Sequence, residues 1–249
     1  MKLPVIRGTI DRRILVNYRV DPEILQRILP FPFQPKLVAG RGIAGICLIR
    51  LRHIRPRGLP KQIGLSSENA AHRIAVEWEE AGQTREGVFI PRRDTSSRLN
   101  ALAGGRLFPG EHFGARFRVV ESGEHYSIQL DSDDGATQVL VQGRCDTQFS
   151  PGSIFGSLDA ASAFFEAGSL GFSVTSRAGA FDGLELRTSN WQVQPFAIER
   201  CESNYFDNAA IFPAGTIDFD NALLMRGVAH EWHGREPLCA DYLAALPAK

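Results

Sequence analysis

"AAHRIAVEWEEAGQTREGVFIPRRD", residues 70–94, decides the fold. In "AAHRIAVEW" the residues Ile74, Val76 and Trp78 recur at every second position, and "REGVFIPR" is a second strand-like run after a turn at Ala81-Gly82. A period of two puts successive side chains on opposite faces, so each run reads as a strand. The glycine turn between them reads as an antiparallel hairpin. The signal repeats downstream. "HFGARFRVVE" and "HYSIQLDS" flank Ser122-Gly123, and "ATQVLVQGRC" follows Asp133-Asp134-Gly135. Upstream, "RRILVNYRV" (12–20) reads as a strand, and "KLVAGRGIAGICLIRLRHI" reads as two strand-like runs around Gly40-Arg41-Gly42. "DNALLMRGVAHEW" alternates near the end of the chain.

Helical signals are few. "DPEILQRILP" (21–30) has Asp21 as N-cap, Pro22 in the first turn, an apolar stripe of Ile24, Leu25, Ile28 and Leu29, and Pro30 and Pro32 to end it. "SSRLNALAGGRLF" and "SLDAASAFFEAG" (157–168) are the other two. The expected class is α+β and mainly β: a largely antiparallel sheet, strongly curved or barrel-like, with a few short flanking helices. No linker or repeat divides residues 1–249, so one domain is expected.

The net charge is zero, which gives the chain no overall attraction to nucleic acid or to an anionic membrane. The local basic run "LIRLRHIRPRGLPK" (48–61) alternates with apolar residues and reads as a solvated strand face. Lysines stand only at Lys2, Lys36, Lys61 and Lys249, so 24 of the 28 basic residues are arginine. Codon bias explains most of this; the arginine fork is also the better tool for carboxylate recognition. Cys47, Cys145, Cys201 and Cys239 are far apart without a C-x-x-C pair, which argues against zinc and a redox dithiol and for reduced thiols. The N-terminal "MKLPVIRGTIDRR" has no signal-peptide stretch, and no run approaches a membrane span, so a cytoplasmic location is expected.

Several motifs invite a chemical reading. "AGGRLF" lacks the Lys-Ser or Lys-Thr of a phosphate loop. "HEWH" (230–233) is not H-E-x-x-H, and in a strand His230 and His233 fall on opposite faces, so no metal or other cofactor is expected. "IPRRDTSSR" (90–98) runs Arg92 and Arg93 into a helix-capping segment. One of two adjacent strand arginines must face inward, where it needs an acid such as Glu68, Asp94 or Glu111, or an anionic ligand. "SSENAAHR" places Glu68 and His72 on the preceding strand.

"NYRVDPEILQRILPFPF", "SSENAAHRIAVEWEEAG" and "LNALAGGRLFPGEHFG" together resemble segments of the acetoacetate decarboxylases: a strand and short helix, a glutamate-bearing strand, and a small-residue helix entering an aromatic-proline turn. The chain resembles more closely an uncharacterised domain-of-unknown-function family of the same superfamily. The resemblance implies a cone-like antiparallel sheet around a small polar cavity. It matches Glu68 to the family's glutamate and sets the family's arginine near Asp11-Arg12. In the decarboxylases two adjacent lysines follow the aromatic-proline pair, and one forms a Schiff base. Here Phe108-Pro109 is followed by Gly110, Glu111 and His112. The implied function is binding or transformation of a small carboxylate or keto acid without imine formation, as lyase, hydratase or isomerase chemistry. Glu68, Glu111 and His112 are the candidates to move protons, and Arg92, Arg93, Arg106 and His72 the candidates to hold the substrate. A non-catalytic acid-binding module and a structural subunit with a closed cavity are the alternatives. Homo-oligomer formation is left open.

Overall fold

The computed structural model describes residues 4–103 and 109–239. Thirteen strands join one sheet: β1 (Ile6–Val20), β2 (Gln34–Pro35), β3 (Leu37–Val38), β4 (Arg41–Pro56), β5 (Leu65–Glu80), β6 (Gln83–Thr95), β7 (Phe113–Ser122), β8 (His125–Ser132), β9 (Gln138–Cys145), β10 (Leu170–Val174), β11 (Ala180–Thr188), β12 (Gln194–Ser203) and β13 (Ile217–Cys239). Among the described residues three α-helices accompany them: α1 (Pro22–Ile28), α2 (Arg98–Ala103) and α3 (Leu158–Ala167).

The hairpin at residues 70–94 forms as its pattern dictates. Glu80 pairs with Gln83 across Ala81-Gly82, and both turn residues have positive φ (51° and 76°), which matches the twist of the flanking strands. The hairpins β7–β8 and β8–β9 follow the same logic. Asp21 caps α1 by accepting from the Glu23 N–H, and Ser157 caps α3 by accepting from the Ala160 N–H.

The sheet is largely antiparallel, as expected, with two parallel pairings. β6 runs parallel to β7 and to β10. The cause is connectivity: the α2 segment between β6 and β7 is a crossover, and a crossover of this length returns the chain in the same direction. Strands β10, β11 and β12 had no expectation from the sequence.

Pairings β13-β1-β4-β5-β6-β10-β11 close on themselves through β11–β13. A second closed path runs β6-β7-β8-β9-β12-β13 and returns through the same β1, β4 and β5. The shared strands therefore form a wall with a core on each side. On one face lie Ile14, Val16, Leu48, Ile74, Val76, Ile128 and Leu130. On the other, Leu15, Cys47, Ala71 and Ile90 pack with Ala161 and Phe165 of α3, and Ile6, Ile10, Leu51 and Ile54 form a further cluster. The alternation of each wall strand decides which core, and which site, a side chain reaches.

Candidate functional site

A cavity of about 360 Å3 opens on the α3 face of the wall, inside the ring closed by β11 and β13. Ile49 and Leu51 of β4, Ser67, Asn69 and Ala71 of β5, and Arg93 of β6 line it at alternate positions. The registers Ile49↔Asn69, Leu51↔Ser67 and Ala71↔Arg93 put these side chains side by side. Ser97, Leu99 and Asn100 cover it from α2 and its lead-in, Pro109 and His112 from the segment before β7, and Leu184 and Trp232 from the far strands. The wall is apolar along most of its length, so the small polar cavity expected from sequence is corrected: polar groups gather mainly around Arg93.

Arg93 donates from Nε to the Ser173 hydroxyl at 2.8 Å. No described carboxylate lies within ion-pair distance of it. Burial pulls its pKa down to about 10, the direction expected of a cation without a counter-ion. His112 stands beside it. Burial first, and the Arg93 charge second, lower its pKa to about 4, against a contact between Nδ1 and the Gly110 carbonyl at 3.1 Å. A carbonyl only accepts, so Nδ1 carries the proton and the ring is neutral near pH 7. Asn69 is held by Thr95, whose hydroxyl donates to its Oδ1 at 2.7 Å. Asn100 Oδ1 is buried without a partner among the described residues.

Arg92 has a different fate. Strand alternation turns it to the opposite face, where it donates to Asp94 at 2.9 Å and to Asp134 at 2.8 Å and lies 4.0 Å over the Phe113 ring. Its fork is filled by protein carboxylates. His72, across from Arg92 in the register, is on that same face and not in the cavity. It packs 4.9 Å from the Tyr205 ring, and burial followed by the Arg92 charge lowers its pKa to about 4.

Glu68 does not share the cavity with the 109–112 turn. Its neighbours Ser67 and Asn69 face the cavity, so Glu68 points through the wall to the other core. There it accepts from Arg12 at 2.5 Å and pairs with Arg50. Arg12 also meets Glu121 at 2.5 Å, and Arg50 reaches Glu121 at 3.1 Å. Two guanidinium groups thus face two carboxylates in a closed cluster around Arg12, which is 2% exposed. Glu111 is half-buried; its N–H donates to the Val174 carbonyl at 3.0 Å, and it does not line the cavity. Arg106 and Phe108 lie outside the described residues. Of the expected site residues, then, the structure brings together Arg93 and His112. Sequence reasoning missed Asn69, Asn100, Ser173 and the partners Arg50 and Glu121, and it placed the resemblance's arginine near Arg12 without giving Arg12 a role; only the alternation of β5 could have pointed to Asn69.

Lys36 pairs with Glu86 and Lys61 is exposed, and neither lines the cavity. His230 is buried beside Trp232, with ring centroids 4.6 Å apart. The four cysteines are unpaired. No helix among the described residues is long and apolar enough to cross a membrane.

Residues 8–227 match a family described as an uncharacterized conserved protein, DUF2071. No curated protein matches the chain. Solved structures show the fold. The acetoacetate decarboxylase of Legionella pneumophila subsp. pneumophila str. Philadelphia 1 is similar at TM-score 0.60 and 13% identity, over 94% of this chain and 87% of that one. The enduracididine biosynthesis enzyme MppR, complexed with pyruvate, is similar at TM-score 0.62 and 12% identity, over 97% and 92%. An acetoacetate decarboxylase-like enzyme from Sphingomonas wittichii RW1 gives 0.53 and 12%, over 96% and 92%. The curved, mainly β architecture is thus the fold seen in acetoacetate decarboxylase.

Proposed function

The chain belongs to the DUF2071 family of uncharacterized conserved proteins, and from that premise we propose that it binds a small carboxylate or keto acid in the cavity, with the carboxylate on Arg93 and without Schiff-base chemistry. The observation that carries this is the Arg93 guanidinium, which lines the cavity with no protein carboxylate among the described residues to neutralise it. A buried cation without an anion is costly, and a carboxylate matches its fork through two parallel hydrogen bonds. The Arg12–Glu68 cluster is the weaker anion site because its charges already balance. MppR, a structural neighbour, has been seen with pyruvate, which agrees with an acid as ligand.

His112 is the group placed to exchange a proton with a bound acid. As a neutral imidazole whose Nδ1–H faces the Gly110 carbonyl, it has Nε2 as an acceptor of a hydrogen bond or a proton, and it does not act as a fixed cation. The lysines described, Lys36 and Lys61, are away from the cavity, so no lysine amine among the described residues lines it for an imine to form on.

The test is ligand-induced stabilisation across a panel of small acids. A ligand at 100 times its dissociation constant raises unfolding free energy by about 2.7 kcal/mol. Arg93→Gln is expected to remove the shift, and Glu68→Gln, on the other face, to leave the affinity unchanged. Binding that survives Arg93→Gln would end this reading. Borohydride treatment with acetoacetate is expected to leave the protein mass unchanged; a stable adduct on any lysine would show imine chemistry instead.

A further inference from the structure

Resting on the reading of Arg93 as carboxylate anchor, we infer that the preferred ligand is an amphipathic monocarboxylate, with an aliphatic or aromatic body rather than the short chain of pyruvate or acetoacetate. The inference comes from the shape and chemistry of the wall. Arg93 sits opposite Ala71 in the β5–β6 register. From there the cavity follows β5 back through Asn69 and Ser67 to Leu65. That is six residues of strand, or roughly 20 Å at about 3.4 Å per residue. Polar groups stay near the start: Asn69, Ser97, Asn100 and His112 accompany Arg93. Beyond them Ile49, Leu51, Ile54, Leu65, Leu184 and Trp232 form a mainly apolar wall, interrupted by Ser67 and, near Leu65, by Arg55.

A three-carbon keto acid occupies roughly 100 Å3, about three waters at some 30 Å3 each. The cavity holds about 360 Å3, inside the roughly 300–1,000 Å3 range of pockets that enclose drug-sized ligands. A short acid on Arg93 would leave water against the leucine and isoleucine wall. A body of roughly six to ten carbons displaces that water, and apolar contact is the interaction the wall can make. The single charge at one end fixes orientation; Arg55, which lines the far end, already donates its guanidinium N–H groups to the His53 and Leu59 carbonyls at 2.7 and 2.9 Å.

Equilibrium binding of acetate, butyrate, hexanoate and octanoate, with pyruvate and octanamide as comparisons, tests this. From butyrate to octanoate the affinity is expected to rise about fourfold per methylene, the fold-change that burial of a CH2 group brings. Octanamide and the Arg93→Gln variant with octanoate are each expected to bind at least tenfold more weakly. Leu65 is half exposed at 51%, so Leu65→Asp is tolerated by the fold; it is expected to weaken octanoate and leave butyrate unchanged. Pyruvate or acetate binding as tightly as octanoate, in an Arg93-dependent way, would overturn the inference and leave the proposed function standing. No binding by any acid would overturn both. Octanoate binding that ignores both Arg93→Gln and Leu65→Asp would place the acid elsewhere and overturn the inference as well.

Discussion

Arg92 and Arg93 are adjacent in sequence, and the pleat sends one to a pair of carboxylates and the other to a cavity. The two should respond to mutation in opposite ways. Arg92 neutralises Asp94, which is fully buried and whose carboxyl is pushed up by burial against the pull of Arg92. Removing one partner of such a pair strands a buried charge and costs about 3–5 kcal/mol. Arg92→Gln is therefore expected to lower unfolding free energy by that order in urea titrations. Arg93→Gln removes a buried cation that has no carboxylate partner among the described residues, and the same titrations are expected to show an unchanged or higher midpoint. If the Arg93 variant is the less stable of the two, an anion supplied by the protein must already hold that guanidinium. The sequence showed that one arginine faces inward. Which one, and with what partner, depended on the β5–β6 register and on Asp134, which arrives from a loop about 40 residues on.

Local signals fixed α3 well because everything that makes it is local. Ser157 caps it, Ala161 and Phe165 at a four-residue spacing face the wall, and the expected 157–168 brackets the observed Leu158–Ala167. Ser157→Ala is expected to cost about 1 kcal/mol, the usual value of an N-cap. Phe165 packs on Phe155 and Phe164 and carries the Arg73 guanidinium 4.8 Å over its ring. Phe165→Ala should cost about 3–5 kcal/mol as a buried aromatic truncation, and more than Ser157→Ala in the same thermal or chemical melts. Equal losses would mean that the helix is held by its cap rather than by its docking. The hairpins were legible for the same local reason. β10, β11 and β12 were not: five-residue β10 and its neighbour β11 pair with each other, but β6 and β13 hold them in the sheet, and both of those strands are distant in sequence. The parallel β6–β7 pairing likewise reflects the crossover, which a period of two cannot reveal.

At the scale of the whole molecule, two closed sheet paths share one wall, and that arrangement buries ionisable groups on both faces. The site was legible only in part for this reason. Arg12 and Glu121 are 109 residues apart and meet because β7 and β1 line the same core, a fact no local pattern contains. The same burial predicts how the protein responds to acid. His72, His112 and His230 are each pushed down to about 4, burial being the first cause in every case, with Arg92, Arg93 and Arg13 adding repulsion in turn. Unfolded, each would take its proton near 6.5. Between those values the unfolded chain binds more protons than the folded one, so stability is full above the unfolded pKa and falls as pH drops from 6.5 toward 4. At about 1.36 kcal/mol per unit, one fully buried histidine contributes up to about 3 kcal/mol to that loss. Asp94, whose folded pKa is raised, acts in the opposite direction just above its unfolded pKa and so offsets part of this loss, and the carboxylates held down by arginine, such as Asp134, lose their contribution only as pH falls through the acid range below about 4. The histidines therefore dominate the window between 6.5 and 4. Urea midpoints are expected to be flat from pH 8 to pH 7 and to fall steeply from pH 6 to pH 5. His72 has no hydrogen-bond partner at either ring nitrogen among the described residues and sits against Tyr205 and Phe206, so His72→Phe should be well tolerated at pH 7.5. At pH 5 that variant should be the more stable protein, because it no longer has a histidine that only the unfolded chain can protonate. A wild-type midpoint independent of pH across this range, or a His72→Phe variant with an unchanged slope, would show that these rings gain protons without unfolding and so are reached by water in the folded state.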